Sequence, residues 1–343
     1  MEIFDREDVY VSTGNLPPTE RITDLLHQAH RRFSKVGHGE MSQIYPALAR
    51  MQRDLFGICV VGRDGHVVSV GDAEQAFTVM SVSKPFVFAL ICDLIGATAA
   101  RRRLGANATG SSFHSLAAIE RRPDGRTNPM VNAGAIATTS LVPGNDTEEK
   151  WRFLHQGLSR FAGRGLVLNQ EVYESATTSN YRNRSIGWML QSKGAIYCDP
   201  EQAVELYTRQ CCLDVTARDL AVMGATLAAG GINPVTNEQV VKPRTCHYVL
   251  AVMMTAGLYE NSGDWLYEVG LPGKSGIGGG IVTISPGKGG MGTFSPPLDE
   301  TGNSIRGQLT TQFLSRRLGM DLLISAPMSG PADRRRDGFG AGG

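Results

Sequence analysis

Strand signals occur at two places far apart in this chain, and the stretch between them reads as helix. Phe56 to Val61 and His66 to Val70 are short runs rich in β-branched residues, and Asp64-Gly65 between them is a strong hairpin signal. Comparable runs return at Ile281 to Ile284 and Met291 to Phe294, joined by Pro286 to Gly290. From about Arg101 to Pro243 the segments are mostly helix-like and are separated by Gly, Asn and Pro. An antiparallel sheet flanked by helices, carrying an inserted all-helical domain, fits this order. The expected division is a discontinuous α/β sandwich domain from residues 1–100 and 244–326, a helical domain at 101–243, and a disordered tail at 327–343.

Individual helices can be placed. Pro17-Pro18-Thr19-Glu20 opens one that runs to about Arg32, with Ile22, Leu25, Leu26 and Ala29 on one face. Further helices are expected from Asn132, over Glu201 to Cys212, Ala217 to Leu227, Thr245 to Tyr259 and Ser304 to Leu318. Thr216 with Asp219 has the spacing of a capping box.

The chemistry is expected at Thr78 to Phe86. Ser81 and Lys84 stand there in the order S-x-x-K, and the apolar run Phe86 to Ile91 follows. Residues three apart share a helix face, so the hydroxyl and the amine can meet. Apolar burial lowers a lysine's pKa, and a neutral amine beside a serine can take its proton and make it a nucleophile. Pro85 is tolerated because it falls in the first helical turn. Alone, S-x-x-K also describes an ordinary amphipathic helix start.

Composition excludes several alternatives. The 343 residues are 41% hydrophobic and 20% charged, with a net charge of +1. That gives no electrostatic case for nucleic acid or an anionic membrane. No apolar run approaches the roughly 20 residues that span a bilayer, and Met1 to Arg6 are not followed by the apolar core of a signal peptide. A cytoplasmic protein is expected. Its six cysteines lack C-x-x-C spacing and lie in apolar segments, which suits buried, reduced thiols. The seven histidines form no zinc-type pattern, and His27 with His30 reads as a surface face. No metal or cofactor is expected.

Two further stretches bear on Ser81. Lys274-Ser275-Gly276 has the form of the K-[TS]-G element that accompanies S-x-x-K in penicillin-binding proteins and serine β-lactamases. It is not a phosphate loop, because Glu268 stands where that motif needs glycine. The glycines from Gly276 to Gly280 either let backbone N–H groups approach an oxyanion or form a turn without function. Asn128 to Ile136 pairs asparagines with small residues at a helix start, as an N-cap or as an amide aimed into a cleft.

Together these stretches carry a family resemblance. Met80 to Lys84, Asn128 to Ile136, Arg182-Asn183, Val215-Thr216, Ala256 to Tyr259, Gly270 to Gly280 and Phe294 to Asp299 resemble the serine-dependent glutaminases, from about Gly39 to Gln312. The resemblance implies a serine β-lactamase/transpeptidase-like fold and hydrolysis of L-glutamine to L-glutamate and ammonia through an acyl-enzyme. It gives Ser81 as nucleophile, Lys84 as base and Tyr259 as proton relay. The backbone N–H groups of Ser81 and Ile277 match the oxyanion hole. Asn132, Asn183 and Tyr207 match substrate-binding positions, with Ser275 and Gly276 beside them. Homodimers or homotetramers are implied.

The chain departs from the family pattern at three places. Ile44 stands where the family has an active-site tyrosine, with Tyr45 next to it as a substitute. Ala176 stands where the family has a glutamate for the substrate's α-ammonium, with Glu174 two residues earlier as a substitute. His114 replaces an asparagine. Two other readings therefore stand beside glutamine hydrolysis: a same-fold amidohydrolase with a different γ-amide or acyl substrate, and a weakly active or inactive binding homologue.

Overall fold

Gly57–Gly62 (β1) and Val67–Gly71 (β2) pair antiparallel with Val61 opposite Val67, and Gly65 in the connection takes φ 84°, a conformation suited to glycine. A computed structural model describes residues 14–325; the expectations for the first residues and for the 327–343 tail lie outside them. The remaining strands are Phe77–Thr78 (β3), Val167–Leu168 (β4), Leu213–Val215 (β5), Gly273–Ser275 (β6), Gly280–Ser285 (β7) and Gly289–Phe294 (β8). The main sheet is antiparallel throughout, in the order β2-β1-β8-β7-β6, so the two ends of the chain meet at β1 and β8.

Side chains alternate across this sheet with the period of two that a strand imposes. Ile58, Val60, Ile281 and Met291 pack with the helices Thr19–Phe33 and Ile305–Arg317 in one core. Cys59, Val61, Val282, Ile284 and Phe294 face the other core, where the helix Ala217–Ala228 lies on the sheet. That helix sits almost on the strand backbone. A Cβ added to Gly292 would stand 2.0 Å from the Ala217 carbonyl oxygen, and one on Gly290 2.3 Å from the Ala225 nitrogen. The capping box at its start forms, with Asp219 N–H donating to Thr216 Oγ1 and Thr216 N–H donating to Asp219 Oδ2.

The stretch from 101 to 243 also contains strand. β4 and β5 join β3 in a small sheet of order β3-β5-β4. Strands of two or three residues carry no readable alternation, so the sequence gives no sign of them. The helix expected to end at Tyr259 runs Pro243–Ala256. A separate turn Tyr259–Asn261 and a short helix Ser262–Val269 follow it. His30 is half-buried, not surface-facing: its ring stacks on Phe56 at 4.9 Å. No helix among the described residues is long and apolar enough to cross a membrane.

Candidate active site

Ser81 lies in a single 3-10 turn, Met80–Val82, which feeds the helix Ser83–Ile95. The first ten residues of that helix, Lys84 included, are buried, so it runs through the middle of the molecule as the apolar sequence dictates. The entry is strained: Met80 has φ 46°, a region costly for a non-glycine residue. The hydroxyl of Ser83 donates to Met80 O at 2.9 Å and ties the turn to the helix. β3 precedes the turn, and the Gly276–Gly280 loop packs against both. A Cβ on Gly278 would stand 2.5 Å from Thr78 O, and one on Gly276 3.0 Å from Val79 O.

Lys84 follows Ser81 by one helical turn. Its Nζ donates to Asn132 Oδ1 at 2.7 Å and to Met130 O at 3.4 Å. No carboxylate pairs with it among the described residues, and burial pushes its pKa down to about 7. A second lysine, Lys274, is also wholly buried. Its Nζ donates to Gly257 O at 2.7 Å and Ser275 O at 2.8 Å and stands 4.2 Å from the centre of the Tyr259 ring. Burial, with the neighbouring Lys84 charge, holds its pKa well below the usual lysine value.

Tyr259 connects the two lysine environments. Its hydroxyl donates to Ser275 O at 3.2 Å and lies close to the Ser81 side chain. Burial raises its pKa, so the phenol keeps its proton. Its φ of 56° is the second strained backbone beside Ser81. Ser275 supplies this site with its main-chain carbonyl. Its hydroxyl turns away to Asn303 Oδ1, and neither Ser275 nor Gly276 lines the cavity in front of Ser81.

That cavity holds about 540 Å³, within the range of small-molecule sites. Ser81, Asn132, Asn183, Tyr207 and Ile277 all line it. Lys84 and Tyr259 stand behind Ser81. Tyr45 also lines the cavity, half-buried at the start of a short helix Pro46–Ala49, and Ile44 lines it beside Tyr45. Glu174 does not reach it. Two residues apart on a helix lie roughly 200° apart in azimuth, so Ala176 on the buried face puts Glu174 on the solvent face of the Gln170–Ser179 helix, where its carboxylate accepts from Gln170 Nε2 at 2.9 Å.

The sequence reading missed a chain of amides. Asn132 Nδ2 donates to Asn183 Oδ1 at 3.0 Å. Asn183 Nδ2 donates to Asn180 Oδ1 at 2.7 Å, and Asn180 Nδ2 to Thr208 Oγ1 at 2.6 Å. Thr208 donates in turn to Val204 O, so every amide has a defined orientation and Asn132 must present its oxygen to Lys84. Tyr207 OH donates to the same Asn132 oxygen at 3.3 Å. The available signal for Asn180 is its place three residues before Asn183, at the N-cap of the helix that carries Asn183. Cys211, Cys212, Phe113 and His114 complete the apolar and aromatic lining. His114 O accepts from Arg182 Nε at 3.0 Å, while burial and Arg182 lower the imidazole's pKa.

Comparison with known proteins identifies the family. A family model described as Glutaminase matches residues 39–323. Glutaminase 2 of Yersinia pestis is 64% identical over 318 residues, covering 93% of this chain and 94% of the relative. A glutaminase of Desulfovibrio desulfuricans is 43% identical, covering 90% of this chain and 99% of the relative. Among solved structures, a probable glutaminase, ybaS, superposes with a TM-score of 0.88 at 41% identity, over 90% of this chain and all of the other. A probable glutaminase from Bacillus subtilis, complexed with 6-diazo-5-oxo-L-norleucine, gives 0.78 at 28% identity, over 90% and 97%. The fold is thus the serine β-lactamase-like one, and the chain belongs to the glutaminase family.

Proposed function

We propose that this protein hydrolyses L-glutamine to L-glutamate and ammonia through a Ser81 acyl-enzyme. The observation that carries the reading is Lys84: wholly buried, held by two carbonyl oxygens, without a carboxylate partner among the described residues, and one turn from Ser81. An amine with a pKa near 7 is half neutral at neutral pH. Its lone pair takes the Ser81 proton as Oγ attacks the amide carbon. Backbone N–H groups of Ser81 and Ile277 receive the oxyanion. The tetrahedral intermediate collapses as the C–N bond breaks. The proton from Lys84 reaches the departing nitrogen through the Tyr259 hydroxyl, which lies close to Ser81. Ammonia leaves, and water repeats the sequence on the acyl-enzyme to release the acid and free Ser81. Asn132, Asn183 and Tyr207 hold the substrate, with Tyr45 on the facing wall. On the same reading the enzyme works in the cytoplasm as a homodimer or homotetramer, which sedimentation of the pure protein checks for the assembly.

Ammonia release from millimolar L-glutamine tests the chemistry. The wild-type protein is expected to release it and Ser81→Ala to lose kcat by on the order of 10⁴-fold or more. A folded wild-type protein that releases no ammonia, with or without phosphate, ends this assignment.

A further inference from the structure

The wall of the cavity formed by the helices Gln170–Ser179 and Tyr181–Ser192 has a definite chemical character. It presents the methyl of Ala176, the amides of Asn180 and Asn183, and the oxygen of Ser179, whose hydroxyl donates to Ser175 O at 2.9 Å. Each of those two amide nitrogens carries two N–H groups and spends one in the chain described above. Arg182 adds a guanidinium with five N–H groups, one of which goes to His114 O. Neither aspartate nor glutamate is among the described residues that line this cavity. Glu174 faces solvent on the other side of its helix.

Such a lining is rich in donors and carries positive charge. It suits a substrate carboxylate, which accepts several hydrogen bonds and pairs with Arg182. It does not suit an ammonium group, which would lose water, gain no ion pair and face a guanidinium. We infer that the site recognises the amide and the carboxylate of its substrate and draws nothing from an α-ammonium. Its substrate class is the monoamides of short dicarboxylic acids, with the α-amino group dispensable. This rests on the amidohydrolase reading above and specifies what that site takes.

The test compares kcat/KM for ammonia release from glutaric acid monoamide and from L-glutamine, using the full-length wild-type protein. The monoamide is expected to equal or exceed glutamine. A site that held the ammonium by a charged hydrogen bond would favour glutamine by roughly 10- to 150-fold, so a glutamine advantage of about tenfold or more on that scale overturns the inference. Ala176→Glu and Ala176→Asp place a carboxylate in the wall. Either is expected to shift the ratio toward glutamine by about tenfold or more. An unchanged ratio in both folded variants also overturns it. The wild-type ratio stands even if neither variant folds. Ammonia from neither amide has a different meaning: it removes the amidohydrolase reading and the inference together, whereas a strong glutamine preference removes the inference alone.

Discussion

Behind Ser81, charged and reactive side chains rest largely on main-chain oxygens, although Lys84 makes its shorter bond to the Asn132 side chain. Lys84 bonds Met130 O, Lys274 bonds Gly257 O and Ser275 O, and Tyr259 bonds Ser275 O. Across the cavity, side chains rest on side chains: Asn132 on Asn183, Asn183 on Asn180, and Asn180 on Thr208. The two constructions respond differently to sequence change. A carbonyl acceptor survives almost any substitution of its own residue, while an amide chain breaks wherever one member is replaced. Of the two regions only the first holds non-glycine residues with positive φ, Met80 and Tyr259 beside Ser81. Each such residue costs on the order of 1–3 kcal/mol and persists only where packing over-determines it. The chemistry end of the cavity is therefore rigid, and the wall facing the substrate is where specificity can be altered.

The largest expected effect that sharpens this contrast is at Lys84. Lys84→Met keeps the apolar stem and removes the amine, and is expected to lower kcat by on the order of 10³-fold, within the usual range for a catalytic base. The wild-type pH profile should carry a limb at about 7, since the base acts only when neutral and its pKa is lowered to about 7 by burial. Below that pH, kcat/KM should fall about tenfold per unit. Stability carries the same signature. Between about 7 and the ordinary lysine value of roughly 10.4, the unfolded chain binds a proton at this position that the folded chain does not. Stability contributed here therefore rises with pH across that window and falls as pH drops through it. Denaturation of Lys84→Met at several pH values should show a shallower rise than the wild type, and an identical slope would place the titration elsewhere.

Much of the first region was legible in the sequence, because the relation of Ser81 to Lys84 is a matter of helical spacing and the apolar run announces burial. What stayed hidden is the work done by main-chain carbonyls. Lys274-Ser275-Gly276 attracts notice through its side chains, yet Ser275 acts here through its carbonyl, and a carbonyl has no sequence signature. Of the wall, Asn183 and Ala176 were legible as motif positions. Asn180 was not, because its role depends on Thr208 in a different helix. Glu174 is a candidate substitute by its nearness in sequence, and helical geometry sends it outward. In the fold, strong hairpin and capping signals gave β1, β2 and the Ala217–Ala228 helix, while the two- and three-residue strands β3 to β6 were too short to read.

Tyr259 tests whether the phenol itself or only its ring matters. Tyr259→Phe keeps the ring that packs on Phe113 at 4.4 Å and stands near Lys274, but removes the hydroxyl close to Ser81. The expected loss in kcat is about 10²-fold, with KM nearly unchanged, because in the proposed mechanism the hydroxyl serves proton transfer, and it does not line the cavity. A loss that appears only in KM would move Tyr259 from the first region to the second.

The smallest effect is expected at Asn180, and it bears most directly on the difference between the regions. Asn180→Ala leaves Asn183 Nδ2 without its acceptor and frees Asn183 to flip, which loosens the orientation of Asn132 in turn. A neutral hydrogen bond contributes about 0.5–1.5 kcal/mol, or roughly 2- to 13-fold. That loss should fall mainly on KM, since Lys84 keeps its second acceptor, Met130 O. A displaced pH limb in Asn180→Ala would mean that the amide chain sets the state of the base as well as the fit of the substrate. An unmoved limb with a raised KM would mean that main-chain oxygens alone suffice to hold Lys84, and that the wall can be rebuilt for another amide without disturbing the nucleophile.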